Sequence, residues 1–174
     1  MRLLRWTSLM CVTAFAALAA QPAQGAIDDV RELIRELQTI GFALEHSNRE
    51  VRFVMDQTEE CGGKVEMLRE GLRRGQSPRD VAFMLDGLED EMRGLERELF
   101  IVSDDVAVAG ERLFSVVAKA QKFNDRELLV LVRRTVGFFN STKLRIGAAN
   151  ELFVEVERSM NLLRREIEEA LGGR

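Results

Sequence analysis

The sequence predicts an all-α fold, an elongated antiparallel bundle of three long helices that run up, down and up with coiled-coil-like heptad packing. From residue 27 onward, apolar residues recur in alternating steps of three and four, the period of helices packed along a seam. Charged residues make up 31% of the chain, a proportion typical of long-helix proteins. The apolar phase shifts abruptly at two places, and these mark the expected turns.

Residues 1–25 have the features of a secretory signal peptide that is cleaved from the mature chain. Arg2 and Arg5 give a positive start, residues 9–20 are apolar, and small residues precede the predicted cleavage point after Gly25. An uncleaved anchor is the alternative, but the apolar run is short for the roughly 30 Å core of a bilayer. We therefore expect a periplasmic or secreted protein with no stable membrane insertion after cleavage.

The first helix is expected over residues 27–74. Gly62 and Gly63 are its weak point, because each helical glycine costs roughly 1 kcal/mol relative to alanine. A break there would give two helices, but the alternation of apolar steps continues across the pair, so we predict one continuous helix and leave a bend open. Its seam positions are Val30, Leu33, Leu37, Ile40, Leu44, Ser47, Val51, Val54, Thr58, Cys61, Val65, Leu68 and Leu72.

The second helix is expected over residues 78–123 and has the most regular seam. Gly75 suits a helix stop, Ser77 is the predicted N-cap, and Pro78 occupies the first helical position. Ser103 and the two aspartates after it resemble a second cap, but the apolar rows pass through them unbroken. The seam positions are Val81, Leu85, Leu88, Met92, Leu95, Leu99, Val102, Val106, Ala109, Leu113, Val116, Ala120 and Phe123.

The third helix is expected over residues 125–171, so that residues 26–174 form one domain. Asn124 followed by Glu127 resembles a capping box, and the apolar phase shifts at the same place. The short turn favours antiparallel neighbours. The seam positions are Leu128, Val132, Thr135, Phe139, Thr142, Ile146, Ala149, Phe153, Val156, Met160, Leu163, Ile167 and Ala170.

The residue inventory does not indicate catalysis, and we expect no enzyme activity, no cofactor and no metal. Nucleophilic triads and zinc sites need histidines or several cysteines, and beyond residue 25 the chain has only His46 and Cys61. His46 is expected on the surface, with a pH-sensitive contact as the alternative. Cys61 is expected in the core, with an intermolecular disulfide as the alternative, because an odd cysteine has no internal partner.

The charged residues do not indicate a nucleic-acid partner. The formal net charge is −4, whereas binding to nucleic acid needs a concentrated basic face. Acidic groups and arginine pairs alternate on the polar sides of the helices, so we interpret them as solvated surface and not as cation sites.

Parts of helices two and three are more apolar than a simple bundle requires. This is either a better-packed end of the core or a surface that a protein partner or a second copy covers. Phe100, Phe114 and Phe138 lie off the main seams, where leaving each ring in water forgoes burial worth roughly 1.5–3 kcal/mol. We hypothesise that they mark a docking or dimer surface near the turn at Asn124.

The sequence therefore predicts a non-enzymatic, exported interaction or scaffold protein of the bacterial cell envelope, which docks partners through an apolar helix surface. The alternative is a periplasmic holdase-type chaperone that shields apolar segments of client proteins. A scaffold binds with one defined stoichiometry, whereas a chaperone suppresses the aggregation of unrelated proteins.

Overall fold

A computed structural model describes the backbone of residues 4–172 and the side chains of residues 25–172. This part of the chain forms three helices, α1 (Leu4–Arg73), α2 (Pro78–Ala120) and α3 (Arg126–Gly172), and contains no strand. Each helix packs against both of the others. The prediction of an all-α protein built from three packed helices is confirmed.

α1 begins at Leu4, upstream of the start predicted at residue 27. Leucine and alanine, which are strong helix formers, make up most of residues 9–20, and the helical backbone extends through them. The predicted signal peptide lies outside the described side chains except for Gly25, and residues 1–3 lie outside the described backbone.

α1 passes through Gly62 and Gly63 without interruption, which confirms the continuous helix. Gly62 faces α3 at close range, since a Cβ atom built on it would lie 3.2 Å from Cγ2 of Val156. The small residue at this position therefore allows α1 and α3 to approach each other closely.

The turn between α1 and α2 lies where the sequence predicts it. Gly75 has a φ of 95°, which non-glycine residues rarely adopt. Ser77 occupies the N-cap position of α2 as predicted, but its side chain makes no capping hydrogen bond. Its carbonyl oxygen instead accepts hydrogen bonds from the N–H groups of Asp80 and Val81, each at 3.1 Å.

The turn between α2 and α3 differs from the prediction by a few residues. α2 ends at Ala120, because the N–H of Lys122 bonds the Lys119 carbonyl and the chain tightens into a turn. The predicted cap at Asn124 is wrong. Asp125 caps α3, and its Oδ1 accepts a 2.8 Å hydrogen bond from the N–H of Leu128, three residues along, where a cap oxygen reaches.

The predicted seams form the core. Twelve of the thirteen seam positions of α2 are buried, and Phe123 at its end is half-buried. Thr58, Thr135 and Thr142 are buried with their hydroxyls donating to the carbonyl four residues earlier, so none of these three donors is left unpaired. Among the other seam positions, Ala170 is exposed, and five are half-buried: Val30, Leu68, Leu72, Val132 and Ile146.

Along the contact between α1 and α2, residue numbers increase on α1 in the direction in which they decrease on α2. Leu33 of α1 lines one cavity with Phe123 of α2, and Lys64 of α1 lies 3.3 Å from Glu91 of α2.

Between α1 and α3 the numbers rise together. Asn48 accepts a hydrogen bond from Arg145, and Arg69 lies 3.3 Å from Glu166. Arg69 is largely buried and also donates a 3.0 Å hydrogen bond to the Ser159 carbonyl, so it contacts α3 at two residues.

Candidate protein-interaction surface

Ion pairs between helices are concentrated at one end of the bundle. Within residues 25–172, every ion pair that joins two helices lies in the half nearer the turn at residues 74–77. These pairs join Lys64 to Glu91, Arg69 to Glu166, and Arg164 to both Asp86 and Glu89. In the other half, near the turn at residues 121–125, the ion pairs among the described side chains join residues of one helix, Asp28 with Arg31 and His46 with Glu50.

That second half also exposes large apolar side chains. Phe42 of α1 is 71% exposed, and Phe100 and Phe114 of α2 are 74% and 62% exposed. A phenylalanine ring in water forgoes a large burial energy, and several such rings in one region are typical of a covered surface.

One continuous surface runs along α2, and we call the exposed residues of 98–114 the acidic strip. Phe100, Ala107 and Phe114 are spaced by seven and share one helix face, and Ile101 and Val108 are exposed beside them. Residues 98–111 contain no lysine or arginine. Four exposed acids and one exposed arginine, Arg112, also lie in the acidic strip. Asp104 and Glu111 lie four residues after Phe100 and Ala107 and share their face, whereas Glu98 and Asp105 lie two residues before those positions, on another side of the helix. None of the four acids forms an ion pair within the described side chains.

The ring of Phe114 is positioned by α3. It packs edge-to-face on the buried Phe139, with ring centroids 6.0 Å apart and an angle of 84° between the planes. Gly110, one helical turn earlier, lets the Phe139 ring approach α2, since a Cβ atom there would lie 2.6 Å from the ring. Phe114 is thus an exposed ring whose position is set partly by its contact with Phe139.

Phe138 lies on a different surface from Phe100 and Phe114. It is half-buried and lines a groove of about 610 Å³ between α1 and α3, together with Phe42. Phe139, the next residue, contacts Phe114 of α2. Phe114 and Phe138 therefore lie at the same level along the bundle but on different sides of α3. Phe100 lies fourteen residues from Phe114, about 21 Å along the helix. The three predicted residues therefore divide between the acidic strip and the groove.

The groove is basic, and we call it the arginine groove. Its apolar base includes Leu37, Leu131 and the ring of Phe138. Three exposed arginines and one acid line its edges: Arg49, Arg52, Arg134 and Glu45. Within the described side chains none of the three arginines forms an ion pair.

The arginine groove was missed at the sequence level. The arginines of helices one and three look like ordinary solvated surface in the sequence, and Phe42 lies off the seams. Buried Asn48 gives one signal, since a polar side chain next to the seam position Ser47 implies a polar partner. That partner is Arg145, whose Nη1 donates to Asn48 Oδ1 at 2.5 Å.

Cys61 and His46 have separate surroundings. Cys61 is fully buried, as predicted for a core residue, and burial together with the nearby Glu91 carboxylate raises the pKa of its thiol to about 11. His46 is exposed, as predicted, and its Nε2 lies 3.3 Å from Glu50 Oε1 on the same helix. The part of the chain that the structure describes contains no cluster of three or more possible metal ligands.

No helix in the described chain has a segment both long and apolar enough to cross a membrane. Comparison of the chain with protein-family profiles, with curated proteins and with solved structures finds no match. The function proposed below therefore rests on the surfaces described above.

Proposed function

We propose that this protein is a non-enzymatic interaction or scaffold protein of the bacterial cell envelope that docks a protein partner on the acidic strip of α2. One observation carries the proposal. The strip combines exposed, regularly spaced apolar side chains with four acids that have no ion-pair partner among the described side chains. A partner helix with apolar and basic residues at helical spacing would bury the rings and neutralise Asp104 and Glu111, which share their face.

The proposal includes an elongated antiparallel architecture in which the helices run up, down and up. The order of contacts supports it, since residue numbers fall on α2 and rise on α3 as they rise on α1. A rigid rod of about 65 Å, the length of a 43-residue helix, would present the strip at a fixed height.

The proposal also includes export, with cleavage after Gly25 and a periplasmic or secreted mature chain. The positive start and the apolar run of residues 9–20 support it. Mass spectrometry of the chain recovered from the envelope fraction is expected to find Ala26 as the first residue. A chain that retains residues 1–25 would contradict this part of the proposal.

A holdase-type chaperone is the second candidate function, and the distribution of exposed phenylalanines favours it. Phe53 and Phe83 are also exposed, on α1 and at the other end of α2, so apolar surface is not confined to the strip. Suppression of the aggregation of two unrelated unfolded proteins would favour this candidate. Binding of one partner at a fixed ratio would favour the scaffold.

Replacement of Phe100 and Phe114 by serine tests the strip. We expect the helix content to stay unchanged, with a loss of stability of about 1 kcal/mol from the Phe114 contact with Phe139. Crosslinking and pull-down from the native envelope should lose the partner that the unmodified chain retains at fixed stoichiometry.

The matched control is Phe83→Ser, because Phe83 is 81% exposed on the same helix but lies outside the strip. This variant should retain the partner. If both variants retain it, or if the Phe100 and Phe114 variant unfolds and no association was ever present, the docking role of the strip is wrong.

A further inference from the structure

We propose that the arginine groove of one copy of the chain receives the acidic strip of a second copy. The inference depends on the proposed function, because the strip is the proposed docking surface, and it names a second copy of this chain as a partner.

Opposite charge is the first reason. The groove edges carry Arg49, Arg52 and Arg134 against a single acid, although the chain as a whole has a formal charge of −4. The strip carries four acids against a single arginine, Arg112, and the acids Asp104 and Glu111 share the face of Phe100 and Phe114. None of the three groove arginines and four strip acids is paired within the described side chains, so docking through the rings would give Asp104 and Glu111 counter-charges without breaking an existing ion pair.

Matching length and apolar content are the second reason. Between Gln38 and Arg52, α1 contributes to the groove over fourteen steps, about 21 Å, and Phe100 and Phe114 are separated by the same distance. The groove offers apolar surface at Phe42, Leu131 and Phe138, against which the strip's rings would pack. The groove volume of about 610 Å³ accommodates side chains of this size.

The geometry of such a contact determines the type of assembly. Groove and strip are different surfaces, so the contact is heterologous and a pair of copies that makes it once leaves one groove and one strip unoccupied. Association is therefore expected to continue beyond the dimer as concentration rises. Added salt should weaken it, because exposed charges contribute to the contact.

Reciprocal charge reversal tests the proposal. One variant carries Arg49→Glu, Arg52→Glu and Arg134→Glu, and the other carries Asp104→Lys, Asp105→Lys and Glu111→Lys. Analytical ultracentrifugation of the purified full chain should show concentration-dependent oligomers, and each variant alone should associate at least about a hundredfold more weakly. An equimolar mixture of the two variants should recover association, because each reversed surface then meets a complementary one.

Matched controls separate the groove from general charge effects. A variant with Arg35→Glu, Arg126→Glu and Arg133→Glu changes the same number of exposed arginines outside the groove and should associate like the unmodified chain. Circular dichroism establishes that each variant is folded. If a triple variant is not folded, the single substitutions Arg52→Glu and Asp104→Lys replace it, and each should weaken association at least about threefold.

Several results would overturn the proposal. One is an unmodified chain that stays monomeric at all concentrations. Another is a monomeric chain that binds oleate or anionic phospholipid vesicles in an arginine-dependent way, which would make the occupant a lipid. If only the strip variants lose association or partner capture, while groove reversal has no effect, the strip remains a docking surface and the groove is not its receptor. Failure of strip variants to affect any partner would instead contradict the proposed function.

Discussion

Gly110 allows the ring of Phe139 to lie against α2, and this contact can be tested with a single methyl group. Gly110→Ala would place a Cβ atom 2.6 Å from the ring of Phe139, which is buried and also packs against Phe114. We expect a loss of stability of about 1 kcal/mol, even though alanine is the better helix former.

Gly87→Ala is the control, because nothing lies within 4 Å of the Cβ atom built there. It should raise stability by roughly 0.5–1 kcal/mol in urea unfolding. Equal gains at both positions would mean that the Phe139 ring yields freely, and the close contact would have no energetic role.

The buried thiol of Cys61 predicts a pH-dependent stability. The folded-state pKa of about 11 lies above the ordinary value of 9.0, so the thiol's contribution is fully present below about pH 9. That contribution should be lost as the pH rises through about 11, because the unfolded chain ionises first. Urea unfolding over this range measures it, and a thiol reagent should label Cys61 of the folded chain slowly.

Cys61→Ala is the comparison for the pH effect. The alanine variant should be less stable at neutral pH by about 1 kcal/mol, because it leaves a small cavity. Its stability should also fall less steeply between about pH 9 and about pH 11. Parallel curves for the two proteins, or rapid labelling of the folded chain, would contradict the assigned environment of the thiol.

The start of α3 depends on one side chain. Asp125→Ala removes the 2.8 Å hydrogen bond to the N–H of Leu128 and should cost about 1 kcal/mol. Asn124→Ala is the neighbouring control and should change the unfolding free energy by less than about 0.5 kcal/mol. A larger loss of stability from the Asn124 substitution than from the Asp125 substitution would mean that Asn124 is the cap, as the sequence pattern indicates.

The relative placement of α1 and α2 can be tested through Lys64 and Glu91, whose charged atoms are 3.3 Å apart. Both side chains are about a third exposed, so the pair contributes modestly. Lys64→Glu should cost about 0.5–1 kcal/mol, since it also faces Glu60. Addition of Glu91→Lys should restore about half of the loss in a double-mutant cycle.

Glu96→Lys is the control second substitution, because Glu96 is exposed on the same helix and has no ion pair among the described side chains. It should not restore the stability of the Lys64→Glu variant. Equal rescue from positions 91 and 96 would mean that the effect is one of net charge, and the proposed antiparallel register would lose its support.

The two proposed docking surfaces could be predicted from the sequence only in part. Phe100 and Phe114 were expected to be exposed because they lie off the seam, and they are. The heptad period could not predict that Phe138 shares a groove with Phe42. Helical spacing relates residues within one helix and does not show how two helices are aligned with each other. The unpaired state of Arg49 and Arg134 depends on that same register.

Sequence periodicity was sufficient to predict the three helices, the continuity of α1 at Gly62 and the burial of Cys61. A residue's face on a helix follows from its number, and an apolar face must be buried. Distances across the bundle depend on how far each helix slides and rotates against its neighbours, and many weak contacts jointly set this. Packing of whole helices, and not any local pattern, therefore decided which half of the bundle holds the cross-helix ion pairs and which arginines and acids are left without an ion pair among the described side chains.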